Sequence, residues 1–247
     1  MIGPLQAESG GPPLAAAAFT VGLVAVHLIG GRWHVSDPTR RQRWLSAAGG
    51  ASVAYVFVLL LPEVSEAALF VGERRGEALV AEQTVYLLAL AGFVASYGVE
   101  AFVTHRLDSD VESSPLVFWG HVGLFCLYSG LIAYLLFHQE APGVLNQFFY
   151  ALAMALHFSV TDYGLSRHHG AAFDRVARWL LAGATVLGGV VGVLVEIDGL
   201  PLSMLFGFLA GAIVLNVVKE ELPTLDQSRF AAFAAGAGLY VLVLLLT

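Results

Sequence analysis

Eight apolar stretches, each close to the length that crosses a bilayer as a helix, alternate with short polar segments along this chain. They fall at about 14–31, 44–71, 84–104, 116–137, 144–165, 176–195, 200–218 and 230–247. No stretch alternates with period two, so the pattern predicts an all-α integral membrane protein of eight hairpin-connected spans in one domain, 1–247. The first span is read as a retained helix, because Glu8 and no Lys or Arg precede it, whereas a signal peptide has a positive leading region.

Two of these stretches carry the same thirteen-residue pattern. Gly50-Ala51-x-Val53-x-x-Val56-x-x-x-x-Leu61-Pro62 in span 2 is matched by Gly211-Ala212-x-Val214-x-x-Val217-x-x-x-x-Leu222-Pro223 in span 7. Carboxylates flank each proline: Glu63 and Glu66 follow the first, and Glu220 and Glu221 precede the second. Acids beside a helix-breaking proline at membrane depth are costly and point to a pathway.

Composition agrees with the pattern. Hydrophobic residues make up 57%, charged residues 13%, and mean hydropathy is +0.76, well below the charge content of soluble domains. Eight spans leave no room for a soluble domain, so function is expected inside the bundle. The single cysteine, Cys126, excludes a disulfide framework and a cysteine zinc ribbon. The net charge of −7 contains no basic run that would read as a nucleic-acid surface.

Basic residues set the orientation. Ten of the twelve Lys and Arg lie in segments on one side, and only Arg74 and Arg75 lie on the other. The positive-inside bias therefore places both termini extracytoplasmic, in a cell membrane of the bacterial or archaeal inner-membrane kind. Span 2 then runs outward and span 7 inward, so the matched segments cross in opposite directions. Such an inverted repeat would relate spans 1–3 (about 14–104) to spans 6–8 (about 176–247), with the central spans (about 116–165) between them.

This 3+2+3 order, with Leu61-Pro62-Glu63 in span 2 and Phe208-Leu209-Ala210-Gly211 leading to Glu221-Leu222-Pro223 in span 7, resembles the ZIP family of divalent-metal transporters. The resemblance implies alternating access, a divalent metal as cargo, zinc most readily, and a metal site between spans 4 and 5. It implies no resident cofactor and no enzymatic activity. The family's span 4 reads His-Asn-x-x-(Asp/Glu)-Gly; with its glycine at Gly130, the ligand positions hold Phe125, Cys126 and Ser129. Phenylalanine offers no lone pair, a neutral serine is a weak ligand, and a lone thiol in apolar surroundings stays protonated. In span 5, His157-Phe158-Ser159-Val160-Thr161-Asp162-Tyr163-Gly164 resembles the family's metal helix, with His157 retained and Thr161 at the second ligand position.

Each candidate ligand has a simpler alternative. His157 and Thr161 share a face, whereas Asp162 lies about 140° round the helix from His157, so one ion cannot readily be held by both His157 and Asp162. Asp162 could instead anchor Arg167 or Arg178, and His157 could be satisfied by one interhelical hydrogen bond. His27 reads as structural, because no acid lies within a turn of it. Glu63 and Glu66 share a face beside a carbonyl freed by Pro62, a geometry suited to a cation, or else form a solvated helix end. Asn216 and Glu220 share a face and would extend the path inward, while Glu100 is expected to pair locally with His105 or Arg106.

Two other functions compete. An intramembrane zinc hydrolase of the alkaline ceramidase type would draw on His157, Ser159, Asp162, His168 and His169 but requires three converging ligands and an open position. A ZIP-like scaffold that no longer moves metal would explain the span 4 positions. The small-residue stretches 183–192 and 231–238 permit close packing or homodimerisation under any reading. A reporter fused to either terminus should read extracytoplasmic, and one in the loop 40–43 cytoplasmic. A cytoplasmic C-terminus would mean an odd number of spans and would remove the inverted repeat.

Overall fold

The computed structural model describes residues 12–30, 37–75, 78–107, 115–139, 143–221 and 229–245, and every regular element among them is helical. The helices are α1 (Pro13–Gly30), α2 (Pro38–Tyr55), α3 (Leu61–Arg75), α4 (Ala78–Leu107), α5 (Pro115–Leu135), α6 (Val144–His169), α7 (Arg178–Leu194), α8 (Gly199–Asn216) and α9 (Phe230–Leu245). Three π-helical turns interrupt them: π1 (Val56–Leu60), π2 (Phe173–Ala177) and π3 (Val217–Glu221).

Local chemistry sets the helix ends. Proline opens α1, α2 and α5, where its missing N–H costs no bond and its fixed φ suits a first turn. The Asp37 carboxylate accepts from Thr39 N at 2.8 Å, and Asp198 accepts from Gly199 N at the head of α8. Gly170, at φ 49°, closes α6 with its N–H on Ser166 O.

The π turns mark the repeat. π1 ends one residue before Leu61-Pro62, and Leu61 N–H reaches back five residues to Val56 O. π3 likewise runs up to Leu222-Pro223, which lies outside the described residues. A proline cannot donate to the carbonyl four residues back and its ring crowds it, so a widened turn just ahead relieves both problems. Both copies of the sequence pattern thus end in the same local distortion.

Among the described residues, six helical stretches are long and apolar enough to cross a membrane: Pro38–Arg74, Gln83–Phe102, Phe118–Leu135, Val144–His169, Phe173–Leu194 and Gly199–Lys219. The apolar helices Pro13–Ile29 and Phe230–Leu245 are shorter. Large apolar side chains such as Leu87, Leu90, Leu187, Leu194, Leu239 and Leu245 face outward, as lipid contact requires and water would penalise.

Contacts fix the relative directions of the helices. α4 and α8 run together, with Val85 against Gly207, Ala89 against Gly211, and Glu100 on Lys219. α2 and α9 also run together, from Ser46 at Arg229 through Gly50 at Phe233 to Tyr55 and Tyr240, whose rings meet Tyr150 and Phe149. α1 follows α6, from Phe19 on Phe148 to His27 on Asp162. α5 opposes α6, with Tyr128 at His157 and Tyr150 at Ile132. α1, α5, α6 and α7 pack as one group and α2, α3, α4, α8 and α9 as another, with α2 and π3 also packed on α6 between them.

Within the second group one contact occurs twice. A methyl at Gly50 would collide with the carbonyl of Phe233, and one at Gly236 with the carbonyl of Ala47. A methyl at Gly211 would collide with the carbonyl of Ala89, and one at Gly92 with that of Phe208. In all four helices the contacted carbonyl lies three residues before the glycine. The spacing from Gly50 to Gly211 equals that from Ala47 to Phe208, and the spacing from Ala89 to Phe233 equals that from Gly92 to Gly236. The α2/α9 junction therefore matches α8/α4 residue for residue. Gly211→Ala should lower stability by about 1–3 kcal/mol through forced separation of α8 from α4. Gly22→Ala, with nothing within 4 Å, should be neutral or stabilising by up to about 1 kcal/mol. Chemical unfolding in mixed micelles measures both.

Candidate functional site

α6 carries more buried polar side chains than any other described helix. His157, Thr161 and Asp162 are all buried, and helical spacing turns them to different neighbours. His157 faces α5, where Tyr128 Oη shares a hydrogen bond with its Nε2 at 2.9 Å. Asp162 faces α1, where His27 Nδ1–H donates to its Oδ2 at 2.9 Å, both side chains being 1% exposed. Phe158 lies between them, its ring 4.4 Å from that of His27.

The expected separation of His157 from Asp162 is thus realised. The expected anchoring of Asp162 by Arg167 or Arg178 is not: Arg178 pairs with Asp174 at 3.5 Å, and Arg167 is exposed. His27 was assigned no partner by the sequence because its acid comes from another helix. Its Nε2, like Thr161 Oγ1, is buried without a hydrogen-bond partner among the described residues. Buried polar atoms left unpaired cost about 1–3 kcal/mol each, so this α1/α6 contact keeps unspent capacity to bind.

α5 presents aromatic surface where the resemblance calls for ligands. Phe125 is buried, with its ring against those of His121 and Tyr128; Ser129 is buried and Cys126 half-buried. Among the described residues no group of three or more His, Cys, Asp or Glu is placed to hold a metal ion. The residue types that a zinc hydrolase would use do not converge either. Ser159 donates to Ala155 O, and His169 meets His121 near the end of α6, away from His157.

The carboxylates divide between the two ends. Glu63 lines a small cavity of about 30 Å³ with His138, Gln139 and Ser203, which continues into a cavity of about 600 Å³ reached also by Glu196 and Asp198. Glu66 is exposed and lines neither. Toward the other end, Asn216 lines a cavity of about 30 Å³ with Ser96, Phe125 and Tyr128, room for about one water. Glu220 falls in π3, but its side chain lies outside the described residues. Glu100 pairs with Lys219 and lies 3.5 Å from His121 Nε2; the side chains of His105 and Arg106, its expected partners, lie outside the described residues.

A broken line of polar groups therefore runs between α5, α6 and α8: Glu63 and His138 at one end, Tyr128 and His157 in the middle, Asn216 and Ser96 beyond, and Glu100 at the far end. Compared with protein-family models and with curated proteins, the chain matches none. A double-mutant cycle of His27→Ala and Asp162→Ala should return a coupling of about 0.5–3 kcal/mol in unfolding free energy. A His157→Ala/Asp162→Ala cycle should return much less, because those side chains serve different helices.

Proposed function

We propose that this protein is an alternating-access membrane transporter of ZIP-like architecture, with eight spans, inverted repeats of spans 1–3 and 6–8, and a divalent cation as cargo. The observation that carries this reading is the doubled glycine junction, α2/α9 and α8/α4, together with π turns at matching places ahead of both Leu-Pro pairs. Interrupted helices in corresponding positions of two halves are what transporters use to build a pathway at the repeat interface. The alternation of helix directions is also that of eight successive crossings.

On this reading the 600 Å³ cavity is the extracytoplasmic mouth. Glu63, with Glu66 outside it, attracts the cation; His157, Thr161 and Asp162 form the mid-membrane station, and Asn216 and Glu220 the way out to the cytoplasm. Net movement inward follows the resemblance. With one formal negative charge at mid-depth and aromatic residues on α5, the ion is held weakly and passes as zinc, or a similar borderline ion, that accepts the imidazole of His157 and the carboxylate of Asp162 in turn.

A second reading, a ZIP-like scaffold that has lost metal transport, is favoured by the hydrogen bond between Tyr128 and His157 and by Phe125 at a ligand position. Zinc or cadmium uptake into proteoliposomes separates the two. The transport reading expects uptake by the unmodified protein, its loss in Asp162→Ala, and affinity raised about tenfold or more by Phe125→His with Ser129→Glu. Uptake appearing only after those two substitutions would identify the scaffold. Uptake indifferent to Asp162→Ala would remove α6 from the path.

A further inference from the structure

The two helix groups meet differently at the two ends of the bundle. At the end where α8 begins, α8 and the segment beyond α5 stand apart around the 600 Å³ cavity, with Ser203 and His138 as opposite walls, while α6 stays on α2 and α9 through Tyr150 and Phe149. Lys219 lies twenty residues further along α8 and π3, about 30 Å away along the helix axis. There the groups are joined by side chains. Glu100 on α4, in one group, is held by Lys219 of π3 in the same group, and its Oε2 lies 3.5 Å from Nε2 of His121 on α5, in the other. His121 Nδ1 in turn lies 3.3 Å from His169 Nε2 on α6, inside its own group.

We propose that the Glu100–His121 contact is a lock that holds this end of the bundle closed while the opposite end is open. Lys219 and His169 are positioning residues that aim the two halves of the lock at each other. This rests on the alternating-access reading and adds to it the contact that must part for the bundle to change face. Each half is fixed to its own close-packed helix pair: Glu100 lies on the helix joined to α8 through Gly92 and Gly211, and His121 on the helix joined to α7 at Gly130 and Gly188.

His121 is 5% exposed and the Glu100 side chain 18%, so the contact is shielded from most of the screening that makes exposed ion pairs nearly worthless. Among the described residues, the charged or titratable groups facing Glu100 are Lys219 and His121, with His169 behind the latter. Parting the groups would leave Glu100 with Lys219 alone and would open the small cavity of Ser96, Asn216 and Tyr128, which lies between the lock and the mid-membrane histidine.

The test uses single-cysteine reporters in a Cys126→Ala background, labelled in oriented membrane vesicles with a membrane-impermeant maleimide. With the lock intact, Ser203→Cys should react from the cavity side and Ser96→Cys should be protected from both sides. Glu100→Gln and His121→Phe, introduced separately, should each make Ser96→Cys react from the lock side about tenfold faster and Ser203→Cys more slowly, the change expected for losing one shielded polar contact. Glu100→Asp, which keeps the charge, should stay close to the unmodified pattern. Labelling unchanged by both Glu100→Gln and His121→Phe, in a protein whose reporters still exchange on adding zinc, would overturn the lock and leave alternating access standing. Reporters that exchange under no condition would overturn both.

Discussion

Close approach of backbones at small residues is the constraint on which the rest of this structure depends. Lipid tails are as apolar as leucine, so bringing two helices together in a bilayer gains little from burying hydrocarbon; packing and weak backbone contacts must supply the attraction. At Gly50, Gly92, Gly211 and Gly236 a neighbouring carbonyl occupies the place where a side chain would begin, and contacts of this kind permit Cα–H to carbonyl interactions. They also remove freedom. A one-residue slip of α8 along α4 would put Ala210 or Ala212 where only hydrogen fits, so register, helix direction and the spacing of everything beyond follow from these pairs.

Polar chemistry is arranged on this frame at the cost of local stability. α6 sends its histidine to α5 and its aspartate to α1, each meeting one partner at 2.9 Å, and leaves a threonine hydroxyl and an imidazole nitrogen unpaired. Thr20 and Thr185 are satisfied within their own helix by carbonyls four residues back, while Ser52 Oγ and Tyr55 Oη on α2 are likewise buried without a hydrogen-bond partner among the described residues. π3 widens the backbone at Glu220, and π1 ends three residues before Glu63, so both widened turns lie at or near carboxylates.

Much of the architecture was legible because it follows from one-dimensional pattern. Each described helix overlaps one of the apolar runs, α2 and α3 sharing the second, and the repeated Gly-Ala-x-Val spacing identified two of the four glycines at the doubled junction. Gly92 and Gly236 carried no such signal, since their partners' carbonyls are backbone atoms of helices far away in sequence. The angular separation of His157 from Asp162 was also readable, being a property of helical pitch. The partner of Asp162 was not: His27 lies 135 positions away, and only the packing of α1 along α6 brings them together. For the same reason Glu100 was matched with its nearest basic neighbours in sequence rather than with Lys219 and His121.

The central claim is that one three-helix unit occurs twice and crosses the bilayer in opposite directions. An experimental structure in lipid tests it by rotating residues 13–107 about an axis in the membrane plane onto residues 173–245, with Gly50 on Gly211 and Gly92 on Gly236. The account predicts that the main chains then coincide, with π1 on π3 and Pro62 on Pro223. A fit that requires a shift of a helical turn or more, or that succeeds only with the two units pointing the same way, would contradict it.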